Sequence, residues 1–155
     1  MPYRLYLDTS VFGALFDHED AERVALTQAV LRRIRRAPYE AYIGVPLLEE
    51  IALAPSRLRA PLEQRVAELS PTLIDEGAAA RRLAEAYLSA GLVPPPKRND
   101  ARHIALATVA DLDAILSWNF RDMVNIRKKS IVHAVNAKYG YRLIDIISPL
   151  EVPRE

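Results

Sequence analysis

Short apolar runs alternate along the chain with longer segments in which apolar residues recur every three or four positions. The run "YRLYLD" at 3–8 alternates apolar and polar residues, which predicts a half-buried strand. A helix is predicted over 19–36 and a second strand, "AYIGV", over 41–45, after which Pro46 suits the first position of another helix. Because parallel neighbouring strands need long crossovers, this order of elements favours a mainly parallel sheet.

Proline and glycine divide the rest of the chain into further elements. Pro55 is expected to interrupt a helix and Pro61 to start the next one. Gly91 is expected to close the helix "AAARRLAEAYLSAG", and Asn99 or Asp100 to cap the helix after it. The last predicted elements are the strand "AILSW", a helix ending near 140 and the strand "LIDII". The pattern predicts one α/β domain over 1–155, with a mainly parallel central sheet flanked by helices on both faces.

Composition excludes several classes of protein. The chain has 155 residues, of which 50% are apolar and 26% are charged, as is ordinary for one globular domain. It has no cysteine, which excludes disulfides, zinc–thiolate sites and cysteine nucleophiles. The net charge of +1 indicates no partner by itself. No apolar run reaches about 18 residues, so we expect no membrane association and a cytoplasmic location.

Asp8 stops the first apolar run at the point where the strand is predicted to end. Burying a lone ionised carboxylate is costly unless a cation, a metal ion or several hydrogen-bond donors compensate it. In sheets of this kind, ligands collect in the crevice outside the carboxyl ends of the strands. Asp8 therefore marks the edge of the sheet where a functional site is expected.

Polar side chains at comparable points of three further segments could meet at the same edge: Glu49 and Glu50, Asp100, and Asn119 with Asp122. Converging carboxylates repel one another unless a divalent ion neutralises them. Mg²⁺ and Mn²⁺ prefer oxygen ligands and retain several waters. The sequence therefore predicts a Mg²⁺ or Mn²⁺ site.

Three stretches that carry these residues resemble the PIN-domain nucleases, which include the VapC-type toxins of toxin–antitoxin pairs: "LDTSVFG", "VPLLEEI" and "NDARHIALATVADLDAILSWNFRDM". The resemblance covers nearly the whole chain, and the order and spacing of the short motifs make it specific. It assigns the first acid to Asp8 and the third to Asp100, with Asn119 at the final polar position. The family pattern places the second acid just before an aliphatic residue, which favours Glu50 over Glu49.

The resemblance implies a PIN-like, three-layer fold and a metal-dependent endoribonuclease acting on single-stranded or structured RNA. Mg²⁺ or Mn²⁺ would be held by Asp8, Glu50 and Asp100. The final position is often an acid in the family, so Asp122 would supply the charge that Asn119 lacks. Hydroxyls are expected to orient the carboxylates: Thr9, Ser10 and Ser117. As partners, the resemblance implies a homodimer and a small antitoxin that covers the acidic cleft.

Simpler interpretations apply to the same residues. Asp8 and Asp100 could only cap helices, since Asp is a favoured cap residue. Glu50 could be an exposed helical acid, and Asn119 could simply hold a turn. We expect His103 to be structural or exposed rather than catalytic. Trp118 and Phe120 are expected to pack in the core or at its rim, and His133 to be structural or exposed.

Other functional classes fit less well. A haloacid-dehalogenase-like phosphatase needs a second Asp two residues after the first, and position 10 is Ser10. A receiver domain would carry its phosphorylatable Asp midway along the chain rather than at Asp8. The remaining alternative is a catalytically inactive module of the same fold that binds protein, RNA or metal, and Asn119 is the feature that keeps it open.

Overall fold

Five parallel strands form the central sheet of the computed structural model, which describes residues 2–153. In chain order the strands are β1 (Tyr3–Leu7), β2 (Tyr39–Gly44), β3 (Thr72–Ile74), β4 (Ala114–Leu116) and β5 (Asp145–Ile147). They lie in the order β3-β2-β1-β4-β5, and every neighbouring pair is parallel. The predicted α/β class with a parallel central sheet is confirmed.

Seven α-helices connect and cover these strands within residues 2–153: α1 (Thr9–Gly13), α2 (Ala21–Ile34), α3 (Val45–Ala52), α4 (Ser56–Leu69), α5 (Ala78–Ser89), α6 (Arg98–Val109) and α7 (Ile126–Lys138). Short 3₁₀ turns lie at Ala14–Phe16, Pro95–Lys97 and Pro149–Glu151. Over this described range, no helix is long and apolar enough to cross a membrane.

The two faces of the sheet carry separate hydrophobic cores, because successive side chains of a strand point to opposite faces. On β1, Tyr6 joins the core formed with α5, α6 and α7. Its neighbours Leu5 and Leu7 join the core formed with α1, α2, α3 and α4. The same alternation separates Ile115 from Leu116 on β4. The result is the predicted arrangement of three layers, with the sheet between two layers of helices.

Two local predictions need correction. Pro61 does not start a helix: α4 begins at Ser56, directly after Pro55, and Pro61 lies in its second turn. The lost backbone hydrogen bond is tolerated there, since Leu62 and Leu69 on the same helix are buried in the core. The strand β3 was not predicted, because three residues are too few to show an alternating pattern.

The order of the strands places a reversal beside β1. The chain runs outward from β1 through β2 and β3, and then returns to place β4 on the other side of β1. Ligands of open α/β sheets bind outside the carboxyl ends of the strands at such a reversal. The crevice therefore opens beyond the ends of β1 and β4, where Asp8 and Ser117 follow.

We predict that Gly44→Ala destabilises the fold. A Cβ at Gly44 would lie 2.5 Å from the Tyr6 hydroxyl oxygen and 2.6 Å from Leu106 Cδ1. Tyr6 cannot withdraw freely, because it is fully buried and its hydroxyl is bonded to His103. Overpacking of a core typically costs about 1–3 kcal/mol, which should appear as a lower free energy of unfolding in urea titrations.

Gly13→Ala is the matched control for this prediction. Gly13 has a helical φ of −59°, and a Cβ there would meet nothing within 4 Å. Since alanine restricts the unfolded chain more than glycine, the control should be neutral or more stable by about 0.5–1 kcal/mol. Equal stability of both variants would show that Tyr6 and Leu106 make room for the added methyl group without cost.

Candidate metal centre

Asp8 follows β1 directly and is almost completely buried. Its Oδ1 accepts hydrogen bonds from the Ser10 amide at 3.1 Å and from Ser10 Oγ at 2.5 Å, and its Oδ2 accepts one from Ser117 Oγ at 2.6 Å. The amide contact makes Asp8 the N-cap of α1, so the capping interpretation is correct. Capping does not prevent the same carboxylate from binding a metal ion. A carboxylate offers about four acceptor positions, so one position, on Oδ2, receives no donor from residues 2–153.

The two serine hydroxyls are themselves oriented by the backbone. Ser10 Oγ accepts from the Trp118 amide at 2.8 Å, and Ser117 Oγ accepts from the Asn119 amide at 3.0 Å. Because each hydroxyl has one proton, each is left to donate it to Asp8. These bonds join the end of β1 to the end of β4. They also confirm that both serines contact a carboxylate, as expected from the sequence.

Glu50 lies on α3 and reaches towards the segment after β1. Its Oε1 accepts a hydrogen bond from Thr9 Oγ1 at 3.0 Å and lies 2.9 Å from His103 Nε2. The neighbouring Glu49 points elsewhere, to a salt bridge of 2.7 Å with Arg102. Of these two adjacent acids, Glu50 is the one brought next to the Asp8 segment.

Asp100 lies in the first turn of α6 but does not cap it, and neither does Asn99. The 3₁₀ turn Pro95–Lys97 leads directly into the helix, and the amide of Arg98 donates to a carbonyl of that turn. The helix thus begins at Arg98 without a side-chain cap. The side-chain oxygen of Asn99, Oδ1, instead accepts a hydrogen bond from Arg102 at 2.8 Å. The capping interpretation of Asp100 is wrong.

The Asp100 carboxylate is partly buried, and no side chain of residues 2–153 donates a hydrogen bond to it. Burial is the largest cause that raises the pKa of Asp100, to about 6, and the nearby charges of Asp8, Asp122 and Glu50 add to it. Burial also raises the pKa of Asp8. The repulsion expected among the acids is present, but loss of water is the larger cause of both shifts. Such a carboxylate fits a bound cation.

Asn119 and Asp122 lie in the turn after β4. The side-chain oxygen of Asn119 accepts from the Asp122 amide at 3.0 Å, so Asn119 holds this turn as its simpler interpretation expected. Asp122 Oδ2 forms a salt bridge of 2.9 Å with Lys97 Nζ. The extra negative charge that Asp122 was expected to supply is thus paired with a lysine in this arrangement.

The donor set suits a hard divalent cation that keeps part of its water shell. In residues 2–153, no three histidine or acidic side chains are gathered closely enough to hold a metal ion on their own. Mg²⁺ usually binds through one or two carboxylates, several waters and a substrate phosphate rather than in an all-protein cage. Asp8, Glu50 and Asp100 can provide oxygen ligands of this kind.

The contact of His103 with Glu50 was missed by the sequence analysis. His103 is buried, and its Nδ1 lies 2.6 Å from the Tyr6 hydroxyl oxygen. Its position three residues after Asp100 on the same helix is the signal that could have found it, because residues three apart share a helix face. The Tyr6 contact could not have been found this way, since it joins β1 to α6.

Arg102 organises the acids on the outer side of α3. It donates two parallel hydrogen bonds to Glu76, at 2.7 and 2.9 Å, and a third to Glu49. These bonds lower the pKa of Glu76 and raise that of Arg102. The single charge of Arg102 is shared between these two acids, so it is engaged on this side and is not paired with Asp8, Glu50 or Asp100.

Comparison with known proteins supports the architecture. No protein-family model and no curated protein matches the chain. The solved structure of VapBC2 from Rickettsia felis, bound to a DNA fragment from their promoter, is similar in fold. The TM-score is 0.54 at 10% sequence identity, over 94% of this chain and 98% of the matched chain. The fold is PIN-like. At this identity the likeness establishes the PIN-like fold alone.

In this PIN-like fold, Asp100→Asn should remove a pH dependence of stability. The pKa of Asp100 rises from 3.8 to about 6 on folding. The folded protein therefore holds this proton more tightly, and the stabilisation is complete below the unfolded value and is lost as pH rises through about 6. We expect the free energy of unfolding of the wild type, relative to the variant, to fall between about pH 4 and about pH 7.

Urea titrations in EDTA across this pH range provide the measurement. Asn nearly preserves the shape of the side chain, so the variant should be at least as stable as the wild type near neutral pH. The difference in free energy of unfolding between the two proteins could stay constant with pH, or could grow in favour of the wild type as pH rises. Either result would contradict a raised pKa of Asp100 in the folded protein.

Proposed function

We propose that the protein is a ribonuclease that hydrolyses phosphodiester bonds of RNA with Mg²⁺ or Mn²⁺. The ligands are Asp8, Glu50 and Asp100. This proposal is supported by carboxylates from three separate segments that lie near the reversal beside β1, within reach of one another's charge. Burial is the largest cause of the raised pKa of Asp100, and the charges of Asp8 and Glu50 add to it. A divalent ion bound there supplies the positive charge that offsets negative charge developing on the phosphate.

The protein side chains hold and orient the charged groups. Ser10 and Ser117 keep Asp8 in place, so its remaining acceptor position has a defined direction. Thr9 anchors Glu50. Lys97, whose side chain is 39% exposed, would bind a backbone phosphate of the RNA beside Asp122. No protein nucleophile is required, because water attacks the phosphorus.

The partners are part of this proposal. The motifs that resemble VapC-type toxins support a homodimer and a small antitoxin whose segment covers the acidic cleft. The fold is shared with a VapBC2 structure, which supports a role as the toxin of such a pair.

A second candidate is a catalytically inactive module of the same fold that binds protein, RNA or metal. The Lys97–Asp122 salt bridge favours it, because a lysine already pairs the acid nearest to Asn119. This candidate retains metal binding and loses cleavage, so one set of assays separates it from the nuclease.

Purified protein should cleave single-stranded RNA in the presence of Mn²⁺, and EDTA should abolish the cleavage. Loss of a group that hydrogen-bonds to a metal ligand can cost roughly 100-fold in activity. Asp8→Asn removes a proposed ligand itself, so it should lower the cleavage rate by more than this. Metal-independent cleavage, or full activity of Asp8→Asn, would contradict the mechanism. A manganese-dependent rise in Tm without cleavage would identify the inactive module instead.

Glu50→Gln and Glu49→Gln form a matched pair of variants. Neighbours on a helix differ in direction by about 100°, and only Glu50 contacts the segment that follows Asp8. Glu50→Gln should abolish manganese-dependent cleavage, whereas Glu49→Gln should only weaken the salt bridge with Arg102. The reverse result would show that the second acid is assigned one residue too far along the chain.

A further inference from the structure

Tyr6 and His103 form a buried pair behind Glu50. The Tyr6 hydroxyl oxygen lies 2.6 Å from His103 Nδ1, and neither residue is more than 1% exposed. The two rings pack edge to face, with centroids 5.5 Å apart. Gly44 leaves just enough room for the Tyr6 hydroxyl, since a Cβ there would lie 2.5 Å from it. The pair is therefore held from several sides.

The hydrogen bonds of this pair run in one direction. An ionised Glu50 carboxylate can only accept, so His103 Nε2 must carry the proton in the 2.9 Å contact with Oε1. In a neutral imidazole Nδ1 is then an acceptor, and the Tyr6 hydroxyl donates to it. Tyr6 therefore donates to His103, and His103 donates to Glu50.

These bonds leave one carboxylate oxygen of Glu50 unused. Oε1 accepts from both Thr9 and His103, while no group within residues 2–153 donates to Oε2. Glu50 is a third exposed, so without such donors its long side chain would sample several rotamers. Two donors on the same oxygen fix the side chain and define the direction of the other oxygen.

We propose that Tyr6 and His103 are positioning residues that hold Oε1 of Glu50 so that Oε2 is presented to the divalent ion. This inference rests on the proposed function. Groups that hydrogen-bond to a metal ligand typically contribute about 10- to 100-fold to metal affinity or activity. The effect acts through Glu50, so it should disappear when Glu50 is changed.

The experiment is calorimetric titration of Mn²⁺ alone into the full chain after removal of metal with EDTA. Tyr6→Phe/His103→Leu removes the donor to Glu50 without leaving a buried hydroxyl unpaired. It should weaken Mn²⁺ binding by about 10- to 100-fold. In Tyr6→Phe/His103→Gln the glutamine amide can replace the Nε2 donor, so affinity should return close to that of the wild type.

His133→Gln is the matched control. His133 is another histidine bonded through Nε2, but its partner is the backbone carbonyl of Ile144, at 2.8 Å. Changing it should leave the affinity for Mn²⁺ unchanged. Thermal melts in EDTA, run on every variant, verify that the proteins compared are folded.

A double-mutant cycle with Glu50→Gln separates positioning from a general structural role. If Tyr6 and His103 act through Glu50, Tyr6→Phe/His103→Leu should not weaken Mn²⁺ binding further in the Glu50→Gln background. An equal loss of affinity in both backgrounds would overturn the inference. A folded Tyr6→Phe/His103→Leu variant that binds Mn²⁺ as tightly as the wild type would also overturn the inference. In either case the proposed function would still be supported if Mn²⁺ binding by the wild type depends on Asp8.

Nitrogen NMR of the histidine rings in the wild type supplies a second test that depends on no variant. His103 should be the tautomer protonated at Nε2, with an unprotonated Nδ1 accepting from Tyr6. Protonation at Nδ1 instead would overturn the inference even if the leucine variant does not fold. If the wild-type protein binds no Mn²⁺, the proposed function is overturned. The inference that Tyr6 and His103 orient Oε2 of Glu50 towards the ion is then overturned as well.

Discussion

The structure depends on compensating the buried carboxylate of Asp8 at the end of the central strand. An uncompensated ionised carboxylate in this position would cost several kcal/mol or would take up a proton. Ser10 and Ser117 provide the compensation, and their contacts span the ends of β1 and β4. The hydroxyls can donate to Asp8 because backbone amides satisfy their acceptor capacity. The same bonds that compensate Asp8 also link the ends of β1 and β4, which are already neighbours through their pairing in the sheet.

The acids around Asp8 are compensated to different degrees. Glu50 receives two donors and Asp122 is paired with Lys97, whereas Asp100 receives no side-chain donor from the described part of the chain. Buried polar groups in natural proteins usually have hydrogen-bond partners. The exceptions to this rule are found mainly at functional sites. The acids therefore range from one that is held by several donors to one, Asp100, whose charge has no side-chain partner in residues 2–153, and such a partly buried carboxylate suits the proposed bound cation. The raised pKa of Asp100 means that its ionised form lowers the stability of the fold near neutral pH.

Two adjacent acids on α3 point in different directions and make different contacts. Glu49 belongs to the Arg102 and Glu76 network on one side, and Glu50 faces the Thr9 segment on the other. The rotation of about 100° between consecutive helical residues makes both contacts compatible. A strong ion pair on the outer side also keeps Arg102 from neutralising the inner acids.

Local pattern alone predicted the alternation of strands and helices and the parallel sheet, because periodicity is a property of neighbouring residues. The spacing of the motifs named the acids that remain candidate ligands. Only the tertiary structure decided that Pro61 lies within α4, that β3 joins the sheet edge and that α6 starts without a side-chain cap. The same holds for the contact of His103 with Glu50, which are 53 residues apart. Such contacts depend on how helices pack across the sheet, and no local propensity encodes that packing.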